Sequence, residues 1–458
     1  MTTTNGLAAR ESTGTGVARE RTGLRWENRV GSASSFPSRI VRARSVDDVV
    51  DAVRTAVANG EQVHAAGAGL AATGIAAAGG VLVDTGDLKG LVRVDDQQGT
   101  ATFLAGTTVG EAIAELDRYG AMMIGAPGDH AATLGGAVST GSHGYHPREA
   151  SFSAQIRGLL LVTGEGSVLR VSPRHNMQYW PAAQLGMGAL GVIAEVAVGF
   201  RRNAVLETSK KRRDIDRLVQ DIPEARAKTD FYRVDWRPNT DQAMLTVGWL
   251  EDATPAVAAA KRARLEAAPA AEPKPRRRSR IRTRLAKFLP FLAPTIDRVS
   301  NFFDRTDNEG LRTPQQLLGD ADHGLQVEYQ FPVASAGRVV EAIKLLVHRN
   351  RLFAAANVRI SLVAADEVWL SPAYARDVVA VCLQLPGGFD AANERAARDA
   401  ENLFITLGGL PNWGGWHTLN GPEAAHVMPR YGDFAHIRTD LDPHGRTDNP
   451  AIKRLLQH

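Results

Sequence analysis

The chain has 458 residues, 44% of them hydrophobic and 23% charged, with a net charge of +4 and one cysteine. This composition fits a globular protein of two or three domains and excludes a fibrous or wholly disordered chain. The lone Cys382 excludes an internal disulfide framework and a cysteine-based zinc site, and no run of about 18 apolar residues is present to cross a bilayer.

Residues 1–21 are polar and rich in Gly and Thr, and read as a disordered tail without the apolar core of a signal peptide. The expected compartment is the cytoplasm. Ile40 and Val41 then begin a strand. Ser45 followed by Asp48 resembles a capping box, and Val46, Val49, Val50, Val53 and Val57 recur at helical spacing up to Gly60. "EQVHAA" is a second strand, with His64 an ordinary strand residue, and it runs into the glycine-rich "GAGLAATG". "GGVLVDTGDL" is a further strand and turn. "LVRVDDQQGTATFL" is a hairpin turning near Gln98-Gly99. A helix from about Val109 to Tyr119 ends at Gly120. "IRGLLLVTGEGSVLRVS" is a hairpin, and Val192 to Val198 form a strong strand. These elements predict an α+β domain over the first 200 residues or so.

From about Arg201 the texture changes to strand-like runs, "FYRVDW", "AMLTVGWL" and "LQVEYQFPV", followed by a helix, "SAGRVVEAIKLLVHRN". Between 253 and 315 lies an Ala/Pro/Arg-rich insertion. Its "PRRRSRIRTRLAK" (275–287) has six Arg, one Lys and no acidic residue. The positive excess is thus local, which argues against a nucleic-acid-binding face. Two readings of the insertion stand side by side. One is a solvated mobile loop. The other is a weak peripheral membrane contact through 275–295, where basic residues precede Phe and Leu. Pro290 and Pro294 argue against one long amphipathic helix there.

Gly67-Ala68-Gly69 follows a strand, but the dinucleotide fingerprint needs a third glycine where Ala72 stands. A second stretch, "GDHAATLGGAVSTGSHG", is also dominated by small residues. Such residues let main-chain N–H groups approach a pyrophosphate or a ring system closely. Two such loops in one domain point to an extended nucleotide.

These segments, with "GMGALGVIAEV", "VEYQFPV", "NVRISLVAADEVWLSPAYARD" and "YGDFAHIRTDLDP", resemble the vanillyl-alcohol-oxidase (PCMH-type) superfamily of FAD flavoproteins. Within it the chain is most similar to aldonolactone oxidases and dehydrogenases and to alditol oxidases. The resemblance implies a two-domain α+β fold: a PCMH-type FAD-binding domain over 22–203, and a cap over 204–425 with an antiparallel sheet flanked by helices. The segment 426–458 would return to the FAD domain. Ala66, Gly67, Ala68, Gly69, Leu70 and Ala71 would wrap the pyrophosphate. Gly128, Asp129, Gly135, Ala137, Ser139, Thr140, Ser142, His143 and Gly144 would line the flavin. Gly191, Val192 and Ile193 would meet the adenosine part through their main chain. The implied activity is hydride transfer from a small-molecule substrate carbon to flavin, with oxygen or another electron acceptor completing the cycle.

Three positions depart from the family pattern. Leu70 stands where many relatives carry a histidine joined to the flavin, so non-covalent FAD is expected. Asn357 stands where relatives carry the Glu of a Glu-x-Arg pair, while Arg359 is retained. Gly415 stands where alditol oxidases have a lysine. Asn357 cannot take a proton at neutral pH. Three outcomes follow: His417, His143 or Glu328 serves as base; the substrate differs, a modified sugar, polyol or specialised metabolite; or the chemistry is lost, leaving a flavin-binding or membrane-surface protein. The expected catalytic set is Arg359, Asn357 and His417, with no metal.

Overall fold

The computed structural model describes residues 19–202, 204–252, 254, 256, 290–303, 310–312 and 324–456. Most of the expected disordered tail and the whole basic run 275–287 lie outside the described residues.

Strands β1 (Arg19–Arg21), β2 (Arg39–Arg42), β3 (Val63–Ala66) and β4 (Val81–Asp84) form a sheet in the order β1-β2-β4-β3. β2, β4 and β3 run parallel, as a β-α-β unit requires. The crossover helix α1 (Val46–Ala58) starts as its sequence predicts: the Asp48 amide donates to Ser45 Oγ (3.1 Å) and the Ser45 amide to Asp48 Oδ2 (3.1 Å). Val49, Val50 and Val53 are buried on the sheet.

A second sheet carries β5 (Leu91–Asp95), β6 (Thr100–Leu104), β7 (Ala121–Met123), β8 (Gly158–Thr163), β9 (Val168–Val171) and β10 (Gly191–Arg202). Its order is β9-β8-β10-β6-β5, with β7 on the far end of β10. Helix α2 (Val109–Arg118) packs beside β7, and the short α3 (Leu134–Ser139) lies over β10.

Residue 204 begins an eight-stranded, wholly antiparallel sheet. Its strands are β11 (Ala204–Asp214), β12 (Phe231–Trp236), β13 (Gln242–Asp252), β14 (Gly310–Arg312), β15 (Leu325–Pro332), β16 (Asn357–Val363), β17 (Val378–Leu385) and β18 (Leu410–Pro411). The order is β14-β11-β13-β12-β16-β17-β15-β18. Its pleat separates two kinds of side chain. On β15, Leu325, Val327, Tyr329 and Phe331 pack with residues of α5 (Ala336–Arg349) and α6 (Ala391–Thr406) in one core. Tyr329 is fully buried there and donates to Glu401 Oε1 (2.8 Å). Gln326, Glu328 and Gln330 take the other face, as do Asn357, Arg359 and Ser361 of β16.

Of the insertion 253–315, expected to be mobile, the described residues include 290–303 and 310–312. Helix α4 (Ala293–Phe303) is docked: Ala293 packs on Ala354 and Ala355, and Asn239 Nδ2 donates to Asp297 Oδ2 (2.8 Å). Pro294 sits in the first turn, where its missing N–H costs nothing. Of the stretch read as a membrane contact, Phe291 and Leu292 are exposed at the foot of this helix.

Past the cap, helices α7 (Gly421–Val427), α8 (Tyr431–Leu441) and α9 (Pro450–Leu456) return to the first domain. Tyr431, Phe434, Ile452 and Leu455 share a core with Phe103, Leu134 and Val196. Asn449 Nδ2 donates to the carbonyls of Gly74, Ile75 and Ala77 (3.2, 3.0 and 2.8 Å).

Gly191 opens β10 at φ +132°, and a Cβ there would lie 2.1 Å from the Val162 carbonyl oxygen. Gly188, at φ +80°, faces open space. Gly188→Ala should cost about 1 kcal/mol of backbone strain, whereas Gly191→Ala adds a main-chain clash and should cost about 3 kcal/mol. Urea unfolding of the two variants checks this ordering; equal losses would refute it.

Candidate functional site

A cavity of about 260 Å³ lies between the glycine-rich loops of the first domain and the polar face of the cap sheet. Gly67, Ala68, Gly69, Leu70 and Ala71 line it on one side. Gly128, Asp129, Gly135, Ala137, Ser139, Thr140, Ser142 and His143 line it on another, and Gly191 and Ile193 close its end. Three expected lining residues do not reach it. Ala66 is buried, its carbonyl accepting from the Thr85 amide (2.9 Å) and hydroxyl (3.2 Å). Val192 points to the opposite side of β10, into the core of Val162 and Ala194, because neighbours on a strand alternate. Gly144 abuts the Ala126 carbonyl instead, with a Cβ position 2.5 Å from that oxygen.

The walls fit a flavin nucleotide by their donors and by their lack of side chains. Among the described residues, the main-chain N–H groups of 67–71 donate no hydrogen bond within the protein, which leaves them for an anionic ligand. A Cβ on Gly67 would stand 2.1 Å from Thr133 Oγ1, and one on Gly128 would stand 2.7 Å from the Tyr145 hydroxyl. The hydroxyls of Ser139 and Thr140 instead donate back to Gly135 O (2.8 Å) and Gly136 O (3.0 Å), stiffening the loop. The Asp129 carboxylate accepts from the Ala131 amide (2.9 Å) and shapes its own turn.

The cap contributes one row of side chains across four strands. Asp235 on β12 lies opposite Arg359 on β16, Arg359 opposite Cys382 on β17, and Cys382 opposite Glu328 on β15. Arg359, Cys382 and Glu328 line the cavity. From the other domain His143 completes the row: its Nε2 lies 3.0 Å from Glu328 Oε1, and its Nδ1 3.0 Å from Gly144 O. Burial opposes charge on both groups of this pair. For His143 the charge and hydrogen bond of Glu328 outweigh burial and hold the imidazole above its ordinary value. For Glu328 the His143 cation, with hydrogen bonds from His143, Cys382 and Asn412, outweighs burial and holds the carboxyl below its ordinary value. Burial and the neighbouring Glu328 push the Cys382 thiol up, so it is a neutral donor.

Two of the three expected catalytic residues are elsewhere. His417 is buried beside Trp413 (ring centroids 5.5 Å apart) and is not among the lining residues. Burial, and secondarily the Arg454 cation, push it down to about 3, so it is neutral in its apolar setting. Asn357 shares the polar face of β16 with Arg359 but sits one pleat further out and does not line the cavity. Gly415 does line it, and a side chain there would begin 3.3 Å from the Glu328 amide and the Asn412 carbonyl. Gln326, Ser361, Cys382 and Asn412 were missed in the sequence. The polar alternation of 326/328 and 359/361 is the signal that marks the first two.

A glycine-walled nucleotide cleft roofed by a polar antiparallel cap defines an FAD-dependent oxidoreductase. In agreement, residues 37–172 match the model of the FAD binding domain. Residues 198–455 match that of D-arabinono-1,4-lactone oxidase, more than half of the chain, and the chain belongs to that family. It is 26% identical over 446 residues to an L-gulono-1,4-lactone dehydrogenase of Mycobacterium tuberculosis, covering 94% of this chain and 99% of the relative. It is 24% identical over 340 residues to an alditol oxidase of Streptomyces sp., covering 71% and 73%. Among solved structures, cholesterol oxidase from B. sterolicum superposes with a TM-score of 0.75 at 14% identity, covering 98% of this chain and 100% of that one, a likeness of fold alone.

The His143–Glu328 pair carries a pH signature. The depressed Glu328 contributes stability that is present above its unfolded value of 4.5 and is lost as pH falls through the folded one. The elevated His143 contributes stability that is present below 6.5 and is lost as pH rises through the folded value. The difference in thermal midpoint between the protein and Glu328→Gln should therefore be greatest between pH 4.5 and 6.5 and shrink on either side. A difference that is flat from pH 4 to 8 would show that the two groups are not ion-paired.

Proposed function

We propose that this enzyme oxidises a CH–OH group of a small, uncharged, hydroxyl-rich substrate of the aldonolactone or alditol class, with FAD held without a covalent bond. The observation that carries this reading is the cap wall. Its lining groups are Gln326, Glu328, Arg359, Ser361, Cys382 and Asn412, all short or polar, with glycines at 324, 414 and 415. Such a wall offers hydrogen bonds to several hydroxyls. FAD, when bound, supplies the two-electron acceptor.

The protein's own part is to orient the carbinol and manage its proton. Glu328, whose carboxylate form is favoured by the His143 imidazole beside it, is the acceptor for the hydroxyl proton that Asn357 cannot take. Arg359, two strand spacings away across Cys382, faces the same oxygen from the other side and stabilises the charge that develops on it. The glycine loops and the cap together keep water from the reacting carbon.

Leu70 bears no nucleophile, so acid precipitation should leave a colourless pellet and put all the flavin in the supernatant. A yellow pellet would refute non-covalent binding. Mixed anaerobically with a panel of polyols and aldonolactones, the protein should show bleaching of its flavin. Glu328→Gln should slow that bleaching by about 10²–10³-fold while FAD content stays unchanged. A Glu328→Gln variant reduced at the parent rate would remove Glu328 as the base.

A further inference from the structure

Arg359 does not stand alone on the polar face of the cap. Directly opposite it in the β12/β16 register is Asp235. Arg359 Nε donates to Asp235 Oδ1 (3.2 Å), and Arg233 Nε donates to Asp235 Oδ2 (2.9 Å). One carboxylate thus engages two guanidinium groups with its two oxygens. The Arg233 guanidinium also stands over the Tyr145 ring, 5.4 Å from its centroid. Tyr145 lines the cavity, and its ring covers Gly128. Asp235 does not line the cavity. It therefore reaches the site only through the groups it holds. Burial opposes its ionisation, but Arg233 and Arg359 overcome that and keep the carboxyl well below the usual carboxylate range.

We propose that Asp235 is a positioning residue: it orients the Arg359 head group into the cavity, supplying from the neighbouring strand the counter-charge that Asn357 cannot offer from Arg359's own strand. This inference rests on the reading of Arg359 as a substrate-facing group. An arginine side chain has several rotatable bonds, so an unheld guanidinium on a half-open sheet face would occupy several positions. The Nε contact fixes the plane of the group and leaves its two terminal nitrogens for a ligand. Arg233, held by the other oxygen, brings Tyr145 into the same unit. The arrangement couples one cap carboxylate to two elements of the cavity wall.

The test is a double-mutant cycle on the FAD-loaded protein with Asp235→Asn, Arg359→Ala and the pair. One readout needs no substrate. Sulfite adds reversibly to oxidised flavin and bleaches it, and a nearby cation stabilises the adduct, so its dissociation constant reports the Arg359 charge. Asp235→Asn should raise that constant about 10-fold with FAD retained, and should change it less than about 2-fold once Arg359 is already Ala. The rate of anaerobic reduction at saturating substrate should follow the same pattern, with the substrate dissociation constant little moved, and Asp235→Glu should recover most of the loss. An Asp235→Asn effect of equal size in both backgrounds, or none in either, overturns the proposal. If Asp235→Asn fails to hold FAD, the cycle is run with Asp235→Glu, whose displaced carboxylate should give a smaller effect that again vanishes without Arg359; an effect that persists overturns the proposal. If no substrate reduces the flavin but the sulfite cycle is non-additive, the oxidation reading fails and the positioning role stands.

Discussion

The hydrogen bond between His143 and Glu328 joins the two halves of the molecule at the cap end of the cavity. His143 comes from a loop built of small residues that exists to let a nucleotide approach the main chain. Glu328 comes from the middle of a cap strand whose alternate residues are locked into an apolar core. Each group is buried against its own preference for water, and each favours the charged form of the other. The pair is thus worth most as a junction, since removing one member strands a buried charge on the other. It also explains why Glu328 remains a carboxylate in a place where burial alone would protonate it.

The rest of the site follows from the pleat of the cap sheet. Leu325, Val327, Tyr329 and Phe331 need the helices on one side, which forces Gln326, Glu328 and Gln330 to the other. The same alternation on β16 and β17 puts Arg359 and Cys382 level with Glu328. A shift of register by one residue on β15 or β16 would put an apolar side chain into the cavity and a charge into the core. The functional row is therefore held by the energy of the apolar face, and few of its members need contacts of their own to stay in place. Arg359 is the exception, because its length takes its charge away from the strand that carries it.

Much of the fold was legible in local sequence. The Ser45–Asp48 cap, the valine stripe of α1, the hairpin at Gln98-Gly99 and the glycine-rich loops all act through neighbours in the chain, and each forms where its residues predict. The α+β two-domain arrangement and FAD binding followed from the order of such segments. The catalytic end was less legible because it depends on pairing between strands far apart in the chain. His417 beside Trp416 has the composition of a site residue, yet its surroundings are Trp413 and the buried C-terminal return, which sequence adjacency does not reveal. Val192 and Ala66 turn their side chains away from the cavity that their neighbours line, because a strand changes face at each residue. The docked helix after Pro290 was hidden by the composition of what precedes it: an Ala/Pro/Arg-rich run reads as solvated, while Ala293 and Asp297 find their partners at Ala354 and Asn239.

Asn357 shows how a family pattern along one strand becomes a different pattern across several. In a Glu-x-Arg pair, acid and cation sit two residues apart on one face of the same strand, about 7 Å along it. Here the acidic partners of Arg359 are found sideways in the sheet. Asp235 is one strand away and in contact, and Glu328 is two strands away beyond Cys382. On the reading proposed above, counter-charge and proton acceptance, which one carboxylate can combine, are divided between two. In that division Asp235 has both oxygens engaged by guanidinium groups and suits an anchor, whereas Glu328 meets His143 through Oε1 alone and lines the cavity. On that reading, Asn357 removes a carboxylate from the pattern along β16 while acidic groups remain on the same face of the sheet, at Asp235 and Glu328.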